Sequence, residues 1–89
     1  MRRVIAKNIQ PEGKLFGERL REVRLKRGVT QQTLAVTAGM SEAYISNMEH
    51  GLKVPSLTTI IRIAVALDCK VMDLVGAFDK TDLRALLPK

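Results

Sequence analysis

Between Gly39 and Gly51 the residues Glu42, Ala43, Ser46, Asn47 and His50 recur every few positions, and each is either short or able to hydrogen-bond. At about 100° per residue they gather on one side of a helix, roughly opposite the apolar Ile45 and Met48. Carboxylate, hydroxyl, amide and imidazole in one row offer donors and acceptors to a polar surface laid against them. The row offers no bond-breaking chemistry. His50 is the only histidine and Cys69 the only cysteine, and neither has a partner at a spacing that would make a nucleophile and its base. The GKLFG stretch at 13–17 lacks the spacing of a phosphate-binding loop, and no glycine-rich dinucleotide turn occurs. One histidine and one cysteine leave no metal-ligand pair and no internal disulfide. No cofactor, metal or catalytic residue is implied.

Ile45 and Met48 supply so little apolar area that most of this helix must lie outside the body of the protein. Apart from Glu42 at its start, its outer face carries small or hydrogen-bonding groups in place of the usual long Lys and Glu. A helix over 42–50 would be about 13 Å long. The major groove of B-DNA is about 12 Å wide, so short outward side chains let such a helix enter and approach base edges.

Holding the row out requires a scaffold, and the pattern around it predicts helices. Residues 1–13 end in a Pro11/Gly13 pair without a sustained period and read as an extended arm with no regular structure. From Lys14 to Arg27, Leu15, Phe16, Leu20, Val23 and Leu25 alternate with charges as in an amphipathic helix stopped by Gly28. Thr30 caps a second helix carrying Leu34, Ala35 and Ala38 as far as Gly39, and Ser41 caps the third almost at once, so a very tight turn joins them. Gly51 is placed to close the third helix in a left-handed conformation. After LKVP, Ser56 caps a fourth, whose Leu57, Ile60, Ile61, Ala64, Val65 and Leu67 form a broad apolar face and make it the element expected to be most buried. A short fifth helix is expected over Val71 to Ala77. Leu83, Leu86 and Leu87 have helical spacing and could complete the core or bind a partner.

A chain of 89 residues with 46% apolar content is one folded domain, and 3% aromatics with no Trp calls for a core of aliphatic side chains on packed helices. So small a core is marginal alone, and dimerisation would help it. The longest apolar run near the start is Val4-Ile5-Ala6, too short for a signal sequence, and nothing later approaches a membrane span. A cytoplasmic location fits. The net charge of +6 lies entirely in the first part: nine Lys or Arg stand against three Glu up to Arg27, and six positive residues against six acidic ones thereafter. A polyanion, an anionic membrane surface or a merely solvated basic face all accommodate that asymmetry.

The segment TQQTLAVTAGMSEAYISNMEHGLKVPSL, Thr30 to Leu57, combines Gln31 opening a helix, Ala35 at a close crossing, Gly39 in the turn, Ile45 in the core, then Glu49 and Gly51. With these features in register, the chain resembles the lambda-repressor-like helix-turn-helix family, which includes Cro and CI phage repressors and xenobiotic-response-element regulators, across roughly residues 15 to 75. The resemblance implies an all-α, compact five-helix DNA-binding domain over 14–78, an N-terminal arm over 1–13, and a tail or short extra helix over 79–89. In that family the second helix of the motif lies in the major groove and the one before it crosses the phosphate backbone. Residues 42–50 are then the recognition helix.

Carried over by position, the base-reading candidates are Glu42, Ala43, Ser46 and Asn47, and the phosphate contacts are Gln31, Tyr44 and Lys53, with Arg19 a further phosphate contact. Asn47 can pair with adenine through N6 and N7, Ala43 can pack on a thymine methyl and Glu42 can accept from cytosine N4. Glu42 can instead simply favour the helix N-terminus. Tyr44 can pack its ring on the protein while its hydroxyl reaches outward, and His50 can satisfy a late carbonyl. The family commonly pairs an arginine of helix one with the glutamate ending helix three, here Arg24 and Glu49. Two positions depart from the pattern: Lys70 stands where a Ser or Thr often caps helix five, and the recognition helix has no Lys or Arg. The second departure shifts electrostatic binding onto Arg2, Arg3, Lys7, Arg19, Lys53 and backbone amides. The implied partners are double-stranded DNA and a second copy of the chain, as a repressor or autoregulator on a two-fold related operator. The alternative is an antitoxin-like protein-interaction module whose partner is a protein.

Overall fold

The computed structural model describes residues 10–80, 84 and 87. Over them the chain runs α1 (Pro11–Lys26), α2 (Gln31–Ala38), α3 (Glu42–Glu49), α4 (Leu57–Ala66), α5 (Val71–Val75) and a closing 3-10 helix, Gly76–Lys80, with no strand among the described residues. Arg2, Arg3, Lys7, Leu83 and Leu86 lie outside the described residues, and Leu87 is exposed.

Caps set the boundaries. Thr30, Ser41 and Ser56 each accept a hydrogen bond from the backbone N–H three residues on, at Thr33, Tyr44 and Thr59, and so start α2, α3 and α4. At α5, Lys70 has no lone pair to offer. Its own N–H instead donates to the Asp73 carboxylate at 2.9 Å, which makes only the reciprocal half of a capping box. Gly39 and Gly51 take φ of 72° and 78° where α2 and α3 stop. Asp68 makes the same left-handed turn after α4, at φ 54°, without being glycine.

Two expectations are corrected. α1 begins at Pro11 and not at Lys14. Proline lacks the N–H that the first helical turn leaves unused and has φ already near helical, so the residue read as punctuation is in fact the first of the helix. α4 is not the most buried element. Ile63, Ala64 and Leu67 are buried, but Leu57, Ile61 and Val65 are 69%, 44% and 74% exposed. The apolar residues wrap too far round α4 for one set of neighbours to cover, and the row at 57, 61 and 65 is left outside.

The core joins Phe16, Leu20 and Val23 of α1, Leu34, Ala35 and Ala38 of α2, Ile45 and Met48 of α3, Ile63 and Ala64 of α4, Leu67 and Leu74. α3 packs on α1 and α2, while α4 packs on α2 and α5. The element carrying the polar row is thus supported by two helices and open elsewhere.

Candidate nucleic-acid interface

Three inward residues hold α3. Ile45 and Met48 are fully buried, and Glu49 is buried beside them. Arg24 of α1 grips Glu49 with both arms of its fork, Nε donating to Oε2 at 2.6 Å and Nη2 to Oε1 at 3.0 Å, and its Nη1 donates to the Val29 carbonyl at 2.8 Å. Hydrogen bonding to Glu49 raises the Arg24 guanidinium above its ordinary range despite the opposing effect of burial, so Arg24 is charged at every pH near neutrality. Gln31 Nε2, at the start of α2, donates to Glu49 Oε1 at 2.9 Å. One carboxylate thereby ties α1, α2 and α3 together, and its burial requires such a complete set of partners.

The backbone of α3 also comes close to α1. A Cβ placed on Gly17 would stand 2.2 Å from the Met48 carbonyl oxygen and 2.9 Å from that of Glu49, and one on Gly13 would stand 3.1 Å from that of Gly51. These two glycines, one turn apart in the first half of an otherwise well-formed helix, make the seat of α3. Glycine costs about 1 kcal/mol relative to alanine in a helix interior, so their recurrence there was the signal that sequence reading passed over.

On the other side, Glu42 and Ala43 are exposed and Ser46 and Asn47 half-exposed, forming one outward row with the exposed His50 at its end. His50 Nδ1 lies 2.8 Å from the Ser46 carbonyl. A carbonyl only accepts, so that contact places a hydrogen on Nδ1. Tyr44 is half-buried against the core, and Lys53 stands exposed in the loop after Gly51. Arg19 is set apart from this group. Its Nε donates to the Asp73 carbonyl at 2.6 Å and its Nη1 pairs with Glu22 at 2.6 Å, so it faces α5 and helps hold it to α1.

Sequence reading also missed Arg62, on α4, whose Nη2 donates to the carbonyls of Ala38 at 2.7 Å and Gly39 at 3.0 Å. No pattern marked it out from an ordinary surface arginine. Burial pushes the Cys69 thiol up, away from the reactive thiolate. No group of three or more metal-ligating side chains occurs among the described residues, and no helix there is long and apolar enough to cross a membrane.

Two short helices joined by residues 39–41, the second seated on the body by its inner face alone, make a helix-turn-helix in which α3 is the presented element. A family model described as "Helix-turn-helix" matches residues 20–74, and the chain belongs to that family. It is 32% identical over 68 residues to an uncharacterized HTH-type transcriptional regulator, y4dJ, of Sinorhizobium fredii, covering 76% of this chain and 88% of that one. It is 37% identical over 60 residues to the immunity repressor protein of Bacillus phage phi105, but spans only 42% of that protein while 67% of this chain is covered. Among solved structures, the restriction-modification controller protein C.AhdI from Aeromonas hydrophila superposes with a TM-score of 0.70 at 37% identity, over 73% of this chain and 98% of that one.

Proposed function

We propose that the chain is a sequence-specific DNA-binding transcriptional regulator, a repressor or autoregulator, that lays α3 in the major groove and acts as a homodimer on a two-fold related operator in the cytoplasm. The observation that carries this reading is the division of α3 into a fixed inner face and an open outer row of short or hydrogen-bonding side chains with no Lys or Arg. Glu42, Ala43, Ser46 and Asn47 read base edges, and Asn47 is the strongest reader because its amide offers a donor and an acceptor to adenine together. Gln31, Tyr44 and Lys53 contact phosphates. Glu49 takes one of the two hydrogens on the Gln31 amide nitrogen, so the second remains for a phosphate beside the open N-terminus of α2. Relatives named as transcriptional regulators and a phage repressor support the same reading.

Selecting bound duplexes from a random library tests it. The expected product is a palindrome with half-sites about 34 Å apart; a protein-only module would yield no selected sequence and no linear log-log dependence on salt. At residue level, Asn47→Ala should relax preference at one base position by about 1 to 3 kcal/mol while leaving random-duplex binding unchanged. Full discrimination by that variant would remove Asn47 from the base contacts.

The exposed row of Leu57, Ile61 and Val65 on α4 supports pairing with a second copy, since a monomer gains nothing by leaving three aliphatic side chains in water. Ile61→Glu should give a monomer by sedimentation and lower operator affinity about 100-fold or more, because each half-site would then bind without the other. A dimer that survives Ile61→Glu would place the interface elsewhere.

A further inference from the structure

The turn between α2 and α3 spans only residues 39–41, so a few backbone torsions set the angle between the two helices of the motif. α2 closes with the Gly39 N–H bonded to the Val36 carbonyl and the Met40 N–H to that of Ala35. The carbonyls of Ala38 and Gly39 project beyond this closure, at the negative end of the helix. Arg62 reaches across from α4 and gives one guanidinium nitrogen to both, at 2.7 Å and 3.0 Å. A Cβ on Gly39 would stand 2.7 Å from that same nitrogen, so the missing side chain at Gly39 does two things: it permits the left-handed turn and it lets the guanidinium close over it.

Gly39 and Arg62 are exposed. If the guanidinium were absent, water would satisfy these carbonyls at little energetic loss. Water would not fix their direction. The contact therefore constrains the geometry of the turn far more than it stabilises the fold. On the reading of α3 as the recognition helix, we propose that Arg62 is a positioning residue for DNA reading: its grip on the Ala38 and Gly39 carbonyls sets the tilt of α3 against α2, and with it the base positions that Asn47 and its neighbours meet.

The test compares wild-type protein with Arg62→Ala on the selected duplex, on the same duplex changed at the base read by Asn47, and on random duplex, each at two salt concentrations. One good bidentate contact discriminates about 5- to 150-fold. Arg62→Ala is expected to lower that ratio about tenfold, or to abolish it, with random-duplex binding, salt slope and melting temperature close to wild type. Arg62→Lys keeps the charge but carries it on a differently shaped, freely rotating ammonium that lacks the fixed direction of the planar guanidinium, and should fall between the two. An unchanged ratio in Arg62→Ala overturns the proposal. So does a salt slope smaller by about one with the ratio intact, which would make Arg62 a phosphate contact. If Arg62→Ala does not fold, Arg62→Lys decides, and an unchanged ratio there overturns the proposal equally. Failure of the wild-type protein to select any sequence would defeat the DNA-reading assignment itself, an outcome distinct from any defect confined to the Arg62 variants.

Discussion

Glu49→Ala is expected to be the most damaging single substitution, destabilising the domain by about 3 to 5 kcal/mol. The side chains of Arg24 and Glu49 are only 8% and 2% exposed. Removing the carboxylate leaves a guanidinium that cannot lose its proton, buried with the Val29 carbonyl as its one remaining acceptor among the described contacts. Gln31 loses its partner in the same step. For a domain of this size each kcal/mol is worth about 4 to 8 °C in melting temperature, and total stabilities of about 0.05 to 0.15 kcal/mol per residue leave little in reserve. Thermal unfolding followed by circular dichroism should therefore show a variant that is largely or partly unfolded near body temperature. Glu49→Gln, which keeps the shape and one acceptor but not the charge, should lose less. Unchanged melting of Glu49→Ala would mean that the pair contributes nothing net.

The second large effect is expected at Gly17, where two ordinary rules oppose each other. Alanine in place of glycine inside α1 should stabilise the helix by about 1 kcal/mol from propensity alone. Against this, the new methyl carbon would lie 2.2 Å from the Met48 carbonyl oxygen, and the obstacle is backbone, which cannot rotate away. α1 and α3 would have to part, with an overpacking cost of about 1 to 3 kcal/mol and sometimes more. We expect Gly17→Ala to melt lower than wild type and to bind its selected sequence more weakly, because α3 is displaced bodily. Gly28 is the control. A Cβ there meets nothing within 4 Å, so the same change should cost only the strain of its positive φ. A Gly17→Ala variant that melts higher than wild type would show that the helices separate without loss.

The contrast between these residues shows what could be read before the fold was known. Caps at Thr30, Ser41 and Ser56, and stops at Gly39 and Gly51, are local: each acts on a backbone group within a few residues, so type and spacing reveal it. The inward position of Ile45 and Met48 follows from helical periodicity. The Arg24 pairing with Glu49 came from family resemblance and not from any pattern in the chain. Arg62 and the link from Gln31 to Glu49 are relations between elements, and nothing within reach of either partner along the chain announces them; Gly17 shows locally only as a costly glycine inside a helix, without the backbone it meets. Pro11 is ambiguous for a different reason, since proline both interrupts a helix and begins one. On α4 the periodicity holds, but the local sequence does not carry the number of neighbours, and the apolar face is core at Ile63, Ala64 and Leu67 and surface at Leu57, Ile61 and Val65.

The glycine seat has a consequence for how such a protein could change its target. Because α3 rests on α1 through main-chain contact and through Ile45, Met48 and Glu49, none of the groups that hold it belongs to the outer row. On the proposed reading, residues 42, 43, 46 and 47 can then be exchanged as a cassette while the mounting stays as it is, so new addresses on the genome would be reachable by replacing a handful of side chains on an unaltered chassis.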